Sequence, residues 1–325
     1  MSTAVSVADA LRGVTPPLVT PFDGAGEIDE AGLEAVVDWT IDGGVDALFP
    51  CGTTGEFASL CSEERRRVIE IVVDRADGTE TPVVAGAGAT NVEETIEYIE
   101  EAAAIGADAA VVVPPYFHTA NDRAGNEAFF EAVADRAPIP LFLYNIPSCT
   151  GRAIDPETVG SLAEREEVIG IKDSSGDFGY LLRLLRETPE PFVVLQGFDN
   201  LLYPSLRVGA DGGINALANA LPGVYRELYD LTASGTVTES GSVPTDPAVG
   251  HDAPLDRASS IAEAIAALFE RCAEVGFAPA TKAALVASGV LEDDRVRPPL
   301  VPADGSERAA IGSLLEDARS SAGYI

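Results

Sequence analysis

Residues 140–144 read Pro-Leu-Phe-Leu-Tyr, residues 168–172 read Val-Ile-Gly-Ile-Lys, and a stretch with helical spacing separates the two runs. Short, continuous apolar runs of this kind are typical of strands that are buried on both faces of a parallel sheet. A helix between two such strands supplies the crossover that a parallel pair requires. This unit therefore predicts an α/β fold built on a parallel sheet.

The same alternation extends over most of the chain. Eight apolar runs are predicted to be strands: Val14–Val19, Ala47–Pro50, Pro82–Ala85, Ala109–Val113, Pro140–Tyr144, Val168–Lys172, Phe192–Gln196 and Gly212–Ile214. Helical patterns lie between them, with Asp29 and Asn91 as N-cap signals and Gly43 and Gly106 as stop signals. Eight such units predict a closed (β/α)₈ TIM barrel, and a doubly wound open sheet is the competing architecture.

The pattern changes after Leu217 and is helical from there onward. We therefore predict two parts: a barrel over residues 1–217 that carries the active site, and a C-terminal helical segment over residues 218–325. Within the second part, residues 234–256 are rich in Ser, Thr, Gly, Pro and acidic residues, which predicts a flexible surface insert. The helical segment is too small to bury a core alone, so we expect it to pack on the barrel or on a neighbouring subunit.

The charge of the chain is strongly unbalanced. Fifty-three acidic residues face 21 basic ones, giving a formal net charge of −32, and the acids are spread along the chain. This favours a surface adapted to concentrated salt, where screening suppresses repulsion between carboxylates, and the alternative is a basic partner. Nucleic acid is not an expected partner, because binding it needs a basic patch. No apolar run reaches eighteen residues and the N-terminus shows no signal-peptide pattern, so we expect no membrane partner and a cytoplasmic location.

Metal chemistry is not indicated by the cysteines and histidines. The four cysteines are far apart in sequence and form no C-x-x-C pair, and the two histidines are near none of them: Cys51, Cys61, Cys149, Cys272, His118 and His251. Zinc sites normally show closely spaced ligand pairs. The sequence therefore predicts a mechanism without a bound metal.

The two lysines of the chain, Lys172 and Lys282, stand against 19 arginines (21 − 2). Arginine cannot act as an amine nucleophile at neutral pH, so a lysine retained in this composition is a candidate nucleophile. Lys172 ends the sixth predicted strand, at the barrel end where reactive side chains project. An apolar strand end favours the neutral amine, which can attack a ketone and form an imine. The alternative is a salt bridge between Lys172 and Asp173.

Two further elements converge on the same barrel mouth. Tyr144 ends the fifth predicted strand, next to Lys172, and its phenol is suited to relaying protons. The turn Gly52-Thr53-Thr54-Gly55 follows the second strand and offers two hydroxyls and free backbone N–H groups. Such a concavity suits an anion, here the carboxylate of a 2-oxo acid.

Three motifs together resemble the dihydrodipicolinate synthase and N-acetylneuraminate lyase superfamily of class I aldolases. They occur in the order Gly52-Thr53-Thr54-Gly55-Glu56, Tyr144-Asn145-Ile146-Pro147-Ser148 and Gly170-Ile171-Lys172-Asp173-Ser174-Ser175. The gap of 28 residues between the tyrosine and the lysine (172 − 144) matches the family as well. The combination is much more specific than any of its parts, and the resemblance extends from Pro16 into the C-terminal helical segment.

The resemblance implies a role for each matching residue. Lys172 is similar to the imine-forming lysine, Tyr144 to the proton-relay tyrosine, and Thr53 and Thr54 to the pair that holds the carboxylate and assists the relay. Residues similar to those lining the substrate site are Gly52, Ser174, Gly197 and Ile214. Asp199 matches an aspartate that grips substrate hydroxyls in the sugar-acid lyases, and a helix N-cap is its alternative role.

The resemblance also implies a homotetramer that uses no metal and no organic cofactor. Under this interpretation the second lysine, Lys282, is structural. An oxidoreductase that uses NAD is disfavoured because the Gly86-Ala87-Gly88 turn lacks the third glycine of the dinucleotide fingerprint. A catalytically silent binding barrel is disfavoured because both Lys172 and Tyr144 are present.

Two departures from the family pattern bear on the substrate. Synthases of the family carry an arginine where this chain has Cys149, and a second relay tyrosine where it has Phe117. A thiol cannot form the bidentate pair that binds a carboxylate, and phenylalanine cannot pass a proton. We therefore predict a lyase that cleaves a 2-keto-3-deoxy sugar acid, such as 2-keto-3-deoxygluconate, into pyruvate and an aldehyde. The alternatives are 4-hydroxy-tetrahydrodipicolinate synthase and a sugar-acid dehydratase. The sequence leaves open whether the 6-phosphate is also a substrate.

Overall fold

Seven parallel strands form the centre of the protein in a computed structural model, which describes residues 3–118, 122–234 and 253–324. Their bounds are β1 Val14–Thr15, β2 Val84–Gly86, β3 Ala109–Val112, β4 Leu141–Asn145, β5 Val168–Asp173, β6 Val193–Gln196 and β7 Gly212–Ile214. They are hydrogen-bonded in the order β1-β7-β6-β5-β4-β3-β2, and all pairs are parallel. Each strand lies close to its predicted position.

The eighth barrel segment is the predicted second strand, which closes the sheet through single bridges. Leu48 is bridged to Val83 and Phe49 to Pro17, both in parallel. The first predicted strand is regular only over β1, because Pro16 and Pro17 follow it and have no N–H to donate to a ladder. The (β/α)₈ barrel is therefore confirmed, with two of its eight segments paired more loosely than predicted.

Helices surround the sheet and continue beyond it. Their bounds are α1 Thr3–Ala10, α2 Glu30–Asp42, α3 Ser62–Ala76, α4 Val92–Ile105, α5 Arg123–Ala134, α6 Pro147–Thr150, α7 Pro156–Ala163, α8 Phe178–Glu187, α9 Leu202–Arg207, α10 Pro222–Ser234, α11 Ala253–Val275, α12 Phe277–Ala287 and α13 Gly305–Ser321. The side chains of Asp29 and Asn91 cap α2 and α4 as predicted. Gly106 ends α4 with a φ of 111°, which favours glycine. In the part of the chain that the structure describes, no helix is long and apolar enough to cross a membrane.

The C-terminal helices share a core with the barrel. Val36 of α2 and Val72 of α3 belong to the same buried apolar cluster as Leu268 of α11 and Leu285 of α12. The helical segment therefore packs on the barrel, which was one of the two expected arrangements. The division at residue 217/218 stays a prediction. Most of the predicted flexible insert, residues 235–252, lies outside the described residues.

A β-bulge in β5 determines which side chains enter the barrel. Leu141 pairs with Val168, but the next residue of β4, Phe142, pairs with Gly170, so Ile169 is an extra residue in β5. An extra residue reverses the alternation of inward and outward side chains beyond it. Ile169 accordingly packs in the cluster inside the barrel, whereas Ile171 packs in the cluster beneath the surrounding helices. The bulge thereby turns Lys172 into the barrel mouth.

Candidate active site

A cavity of about 160 Å³ opens at the carboxyl ends of the strands, where barrel enzymes carry their reactive groups. Eight of the nine residues predicted for the site line it: Thr53, Thr54, Tyr144, Lys172, Ser174, Gly197, Asp199 and Ile214. The ninth, Gly52, is buried but does not line the cavity. A Cβ atom on Gly52 would lie 3.0 Å from the Phe49 ring, so a side chain at this position would crowd that ring.

Two larger cavities lie at the opposite mouth of the barrel. One, of about 620 Å³, is bordered by Val83 and Asp108, near the starts of β2 and β3. The other, of about 490 Å³, is bordered by Val168 and Phe192, near the starts of β5 and β6. Neither contains a lysine, so size does not identify the candidate site. The candidate site is identified by the side chains that line it and by its position at the carboxyl end of the barrel.

Lys172 is a buried amine on β5. Its side chain is only 4% exposed, and Nζ lies 4.2 Å from the centroid of the Tyr144 ring and 5.5 Å from that of Phe49. Among the residues described, no carboxylate forms an ion pair with it. The alternative salt bridge to Asp173 is wrong: Asp173 accepts hydrogen bonds from Asn145 Nδ2 at 2.8 Å and from Ser175. The amine therefore faces the cavity among aromatic rings.

Asp173 serves to join the ends of two neighbouring strands. Asn145, at the end of β4, donates to Asp173 at the end of β5, and its own side-chain oxygen accepts the backbone N–H of Ile154. Burial raises the pKa of the Asp173 carboxyl, and the hydrogen bonds from Asn145 and Ser175 oppose that rise. This network holds the backbone directly after Tyr144 and Lys172.

The threonine turn lies beside the tyrosine hydroxyl. Thr53 Oγ1 is 3.4 Å from Tyr144 Oη, within hydrogen-bond reach, and either oxygen can donate. Thr53 is exposed at the mouth whereas Thr54 is buried below it. Cys51 and Glu56, on either side of the turn, have φ angles of 58° and 56°. Left-handed residues other than glycine are strained and persist where the surroundings fix them, often at functional sites.

Gly197 leaves room for Ser174 and for the lysine. A Cβ atom on Gly197 would overlap Ser174 Oγ and would lie 3.0 Å from Lys172 Cε. Ser174 is itself buried, so it has little space to move aside. The glycine predicted from the family resemblance is thus required here by the packing around the amine.

Asp199 is buried in the cavity wall and is held by partners from elsewhere in the chain. Its Oδ1 accepts the backbone N–H of Leu217 at 3.0 Å and the Tyr225 hydroxyl of α10 at 2.5 Å. Burial raises the pKa of Asp199, and the bond from Tyr225 acts in the opposite direction. Tyr225 was not predicted, because nothing in its local sequence distinguishes it from an ordinary core residue of an amphipathic helix.

Two further residues line the cavity, and the sequence analysis pointed to only one of them. Phe277, at the start of α12, places the C-terminal segment in the wall of the cavity, and no sequence signal pointed to it. Cys149 lines the cavity and is exposed, at the position that the sequence analysis singled out as a departure from the family. Within residues 3–118, 122–234 and 253–324, no group of three or more His, Cys, Asp or Glu side chains is placed to hold a metal ion.

Comparison with known proteins agrees with this geometry. The model of the dihydrodipicolinate synthetase family matches residues 10–245, which is more than half of the chain. The chain belongs to this family. It is accordingly a pyruvate-dependent lyase of the class I aldolase type, as the sequence motifs predicted.

Among similar proteins, the chain is 42% identical over 229 residues to a 4-hydroxy-tetrahydrodipicolinate synthase of Methanopyrus kandleri, covering 70% of this chain and 76% of that one. An uncharacterized DapA-like lyase of Halobacterium salinarum is 36% identical over 307 residues, 94% of both chains. YagE of Escherichia coli K12, a prophage protein of the same family solved with pyruvate, has a TM-score of 0.84 at 32% identity, covering 95% and 98%. The last two similarities cover nearly the whole chain and therefore include most of the C-terminal helices.

Proposed function

We propose that Lys172 forms an imine with the keto carbon of a 2-oxo acid, and that the chain is an aldolase acting on a 2-keto-3-deoxy sugar acid. The observation that carries the first part is the placement of a buried lysine, without an ion-pair partner among the described residues, beside Tyr144 and the threonine turn. A neutral lysine amine is a nucleophile that can attack a carbonyl and form an imine.

The reaction balances with the groups present. The Lys172 amine adds to the substrate C2 carbonyl, and loss of one water gives a protonated imine. Tyr144, assisted by Thr53, removes the proton of the C4 hydroxyl; the C3–C4 bond then breaks, its electron pair moves into the imine as an enamine, and the aldehyde leaves. The enamine takes a proton at C3, and water releases pyruvate from the lysine.

The threonine turn is the proposed binding site for the substrate carboxylate. Thr53 and Thr54 line the cavity and bring two hydroxyl donors to the same mouth as the amine. Hydrogen bonds to a charged group are stronger than neutral ones, and they orient the keto carbon towards Lys172. Ser174, Gly197 and Ile214 complete the proposed pocket around the imine.

The choice of a sugar acid rests on the outer part of the cavity. Cys149 lies where an arginine would be needed to pair with the second carboxylate of a semialdehyde, and its thiol cannot form that pair. Phe117 has no hydroxyl, and its side chain is 96% exposed. Asp199 offers a buried carboxyl to a hydroxyl-bearing substrate, although Tyr225 and Leu217 already bond one of its oxygens.

A second candidate is 4-hydroxy-tetrahydrodipicolinate synthase, which joins pyruvate to aspartate semialdehyde. The names of the curated relatives support this candidate better than the first, since relatives that are 37–42% identical carry that name. A sugar-acid dehydratase, which shares the imine but expels water, is a third candidate. The first part of the mechanism, the imine on Lys172, is common to all three.

The imine is tested by reducing the protein with borohydride in the presence of pyruvate and mapping the adduct by mass spectrometry. The chain has two lysines, Lys172 and Lys282, so mapping distinguishes them directly, and we expect the adduct on Lys172 alone. Lys172→Arg keeps the charge but removes the nucleophile, and it should give no adduct. A wild-type protein that folds in high salt and gives no adduct contradicts the proposal.

The substrate is tested by two assays on the same preparation. One measures pyruvate released from 2-keto-3-deoxygluconate and from its 6-phosphate, and the other measures condensation of pyruvate with aspartate semialdehyde. Cleavage that is much faster than condensation supports the sugar-acid lyase. Condensation as the faster reaction replaces it with the synthase and leaves the imine mechanism intact.

We also propose that the protein is a homotetramer, as the family resemblance implies. Sedimentation velocity in high salt measures the mass of the assembly directly. A mass four times that of the 33.8 kDa chain agrees with this proposal, and a monomer contradicts it.

A further inference from the structure

We propose that Lys282 and Glu56 form a buried positioning pair that holds the threonine turn, residues 52–55, against the active-site cavity. Lys282 is the second of only two lysines in the chain, and the imine mechanism leaves it without a role. The inference rests on the proposed imine site, because it assigns the pair to the placement of Thr53 and Thr54 in that site.

The pair is fully enclosed. Both side chains are 0% exposed, and Lys282 Nζ lies 2.5 Å from Glu56 Oε1. The ammonium also donates to the carbonyl oxygen of Arg295 at 2.6 Å and lies 4.2 Å from the centroid of the Phe22 ring. Burial lowers the pKa of Lys282, and the charge of Glu56 opposes this effect. A buried charge that is so closely surrounded fixes the positions of its partners.

Glu56 connects the buried pair to the threonine turn, so fixing Glu56 also fixes the end of the turn. It follows Gly55 directly, with a strained φ of 56°, and its second oxygen accepts the backbone N–H of Arg297 at 2.9 Å. On the other side, Thr20 Oγ1 donates to the carbonyl of Gly55 at 2.8 Å. A left-handed residue other than glycine persists only where its surroundings fix it, and here Lys282 and the Arg297 backbone do so.

The segment after the turn is tied to the same region of the chain. Arg297 donates to both carboxylate oxygens of Glu64, near the start of α3, and to the carbonyl of Ser59. The turn and the helix that follows it are thus bound at Glu56, Ser59 and Glu64 to the C-terminal segment around residues 295–297. The C-terminal segment therefore acts on the active site through the position of the turn.

The retention of lysine at position 282 agrees with this role. Lysine carries a compact charge on a long stem, whereas the planar guanidinium of arginine is broader and donates in a fixed plane. The ammonium of Lys282 is enclosed by Glu56, the carbonyl of Arg295 and the Phe22 ring, a setting that suits a compact charge. The other ion pairs found among the described residues use arginine, as those of Arg12, Arg226 and Arg297 do.

Loss of the pair is expected to weaken the binding of pyruvate without removing the nucleophile, Lys172. Loss of the pair should let Thr53 move away from Tyr144, to which it is now 3.4 Å distant, and should weaken the hold on the substrate carboxylate. Lys172 itself is not contacted by the pair and keeps its place on β5. Pyruvate should then still form an imine at saturation, but only at a higher concentration.

The test compares Glu56→Gln and Lys282→Met with the wild type and with Arg226→Met. Arg226 of α10 also joins the C-terminal segment to the barrel, through Asp46 at 2.8 Å, but Asp46 accepts the N–H of Val14 at the opposite mouth. Arg226→Met therefore removes a cross-segment ion pair without touching the turn. For each protein we would measure the pyruvate concentration that gives half-maximal borohydride trapping.

We expect that concentration to rise by roughly tenfold or more in both variants of the pair, as when a hydrogen bond to a charged group is lost, and to stay near the wild-type value in Arg226→Met. Hydrogen exchange at residues 52–55, followed by mass spectrometry, should be faster in Glu56→Gln and unchanged in Arg226→Met. Should Lys282→Met fail to fold, Glu56→Gln, which keeps its size and one acceptor, gives the result.

Two outcomes are distinguishable. Folded variants of the pair that are trapped at the wild-type pyruvate concentration, with unchanged exchange at the turn, overturn the positioning role and leave the imine mechanism standing. A wild-type protein that is not trapped at all overturns the proposed function. In that case faster exchange at the turn in Glu56→Gln supports the positioning of the turn, and unchanged exchange overturns it.

Discussion

Lys172 stands directly opposite Tyr144 in the register of β5 and β4 because β5 contains one extra residue, Ile169. Without that bulge, strict alternation from Val168 would point the lysine towards the surrounding helices. Gly170 makes the bulge possible, since a Cβ atom there would overlap the Phe142 ring and lie 2.6 Å from the carbonyl oxygen of Val193. The geometry of the candidate active site thus depends on a local irregularity of the sheet.

Gly170→Ala should therefore destabilise the protein and misdirect the amine. Overpacking of this kind costs about 1–3 kcal/mol, which thermal unfolding would detect as a lower Tm, and borohydride trapping of pyruvate should fall. Gly305→Ala is the control, because a Cβ atom on Gly305 meets no other atom within 4 Å. Unchanged Tm and trapping in Gly170→Ala would show that the bulge tolerates a side chain.

Tyr144→Phe should separate imine formation from turnover. The phenol is the proposed proton relay, and general acid–base catalysis contributes roughly 10²–10⁴-fold, so kcat should fall by about that factor. The amine of Lys172 remains, and pyruvate should still be trapped by borohydride. Tyr98→Phe, which removes a hydroxyl bonded to Glu94 on α4, should keep the wild-type kcat. A Tyr144→Phe protein with wild-type kcat rules out the relay.

Cys149→Arg should make condensation of pyruvate with aspartate semialdehyde more efficient. A guanidinium at the cavity mouth can pair with a second carboxylate, and a hydrogen bond to a charged group is worth about 1.5–3 kcal/mol, so kcat/KM for condensation should rise roughly 10- to 100-fold. Cys61→Arg makes the same change at an exposed cysteine that does not line the cavity. An equal gain in the two variants would mean that overall charge, rather than the site, is responsible.

Asp199→Asn should change how stability depends on pH. Burial raises the Asp199 pKa above its ordinary value of 3.8, so in that range the folded state holds a proton that the unfolded state has lost. Its contribution to the free energy of unfolding is therefore complete below 3.8 and is lost as the pH rises through the folded pKa. Denaturant unfolding at several pH values should show that the wild type loses stability relative to Asp199→Asn, which stays neutral, as the pH rises from the acidic range towards neutrality.

Asp304→Asn provides a control of opposite sign. A hydrogen bond from Ser306 lowers the pKa of Asp304, so its contribution is present above 3.8 and is lost as the pH falls. The stability of the wild type relative to the variant should therefore rise with pH for Asp304, whereas it should fall with pH for Asp199. Two differences that change in the same direction would contradict the assignment for Asp199.

The net charge of −32 should make stability depend on salt. The exposed glutamates of α4 are Glu93, Glu97, Glu100 and Glu101, and two pairs of them, 93/97 and 97/101, are four residues apart on one face of the helix. The screening length falls from about 10 Å at 0.1 M to about 3 Å at 1 M salt, so repulsion between such carboxylates should fade. We expect a higher Tm in molar KCl than in dilute KCl. Sucrose, which stabilises without screening charge, is the control, and a Tm that is insensitive to KCl would contradict salt adaptation.

The sequence by itself determined the barrel and the main chemical groups. Buried parallel strands need apolar runs and their helices need caps, and both signals are local, so the units around Asp29 and Asn91 were predicted correctly. The motifs that carry Thr53, Tyr144 and Lys172 are also continuous stretches of chain. Their joint position at one mouth followed from the shared direction of parallel strands.

Only the tertiary structure decided how these groups are held. The bulge at Ile169 depends on the fit of Gly170 against Phe142, and Lys282 meets Glu56 across 226 positions of sequence. Such contacts arise from the packing of distant segments, so no local pattern of residues specifies them. The sequence supplied the amine, the phenol and the hydroxyls, and the close packing of the folded chain brought them into one cavity.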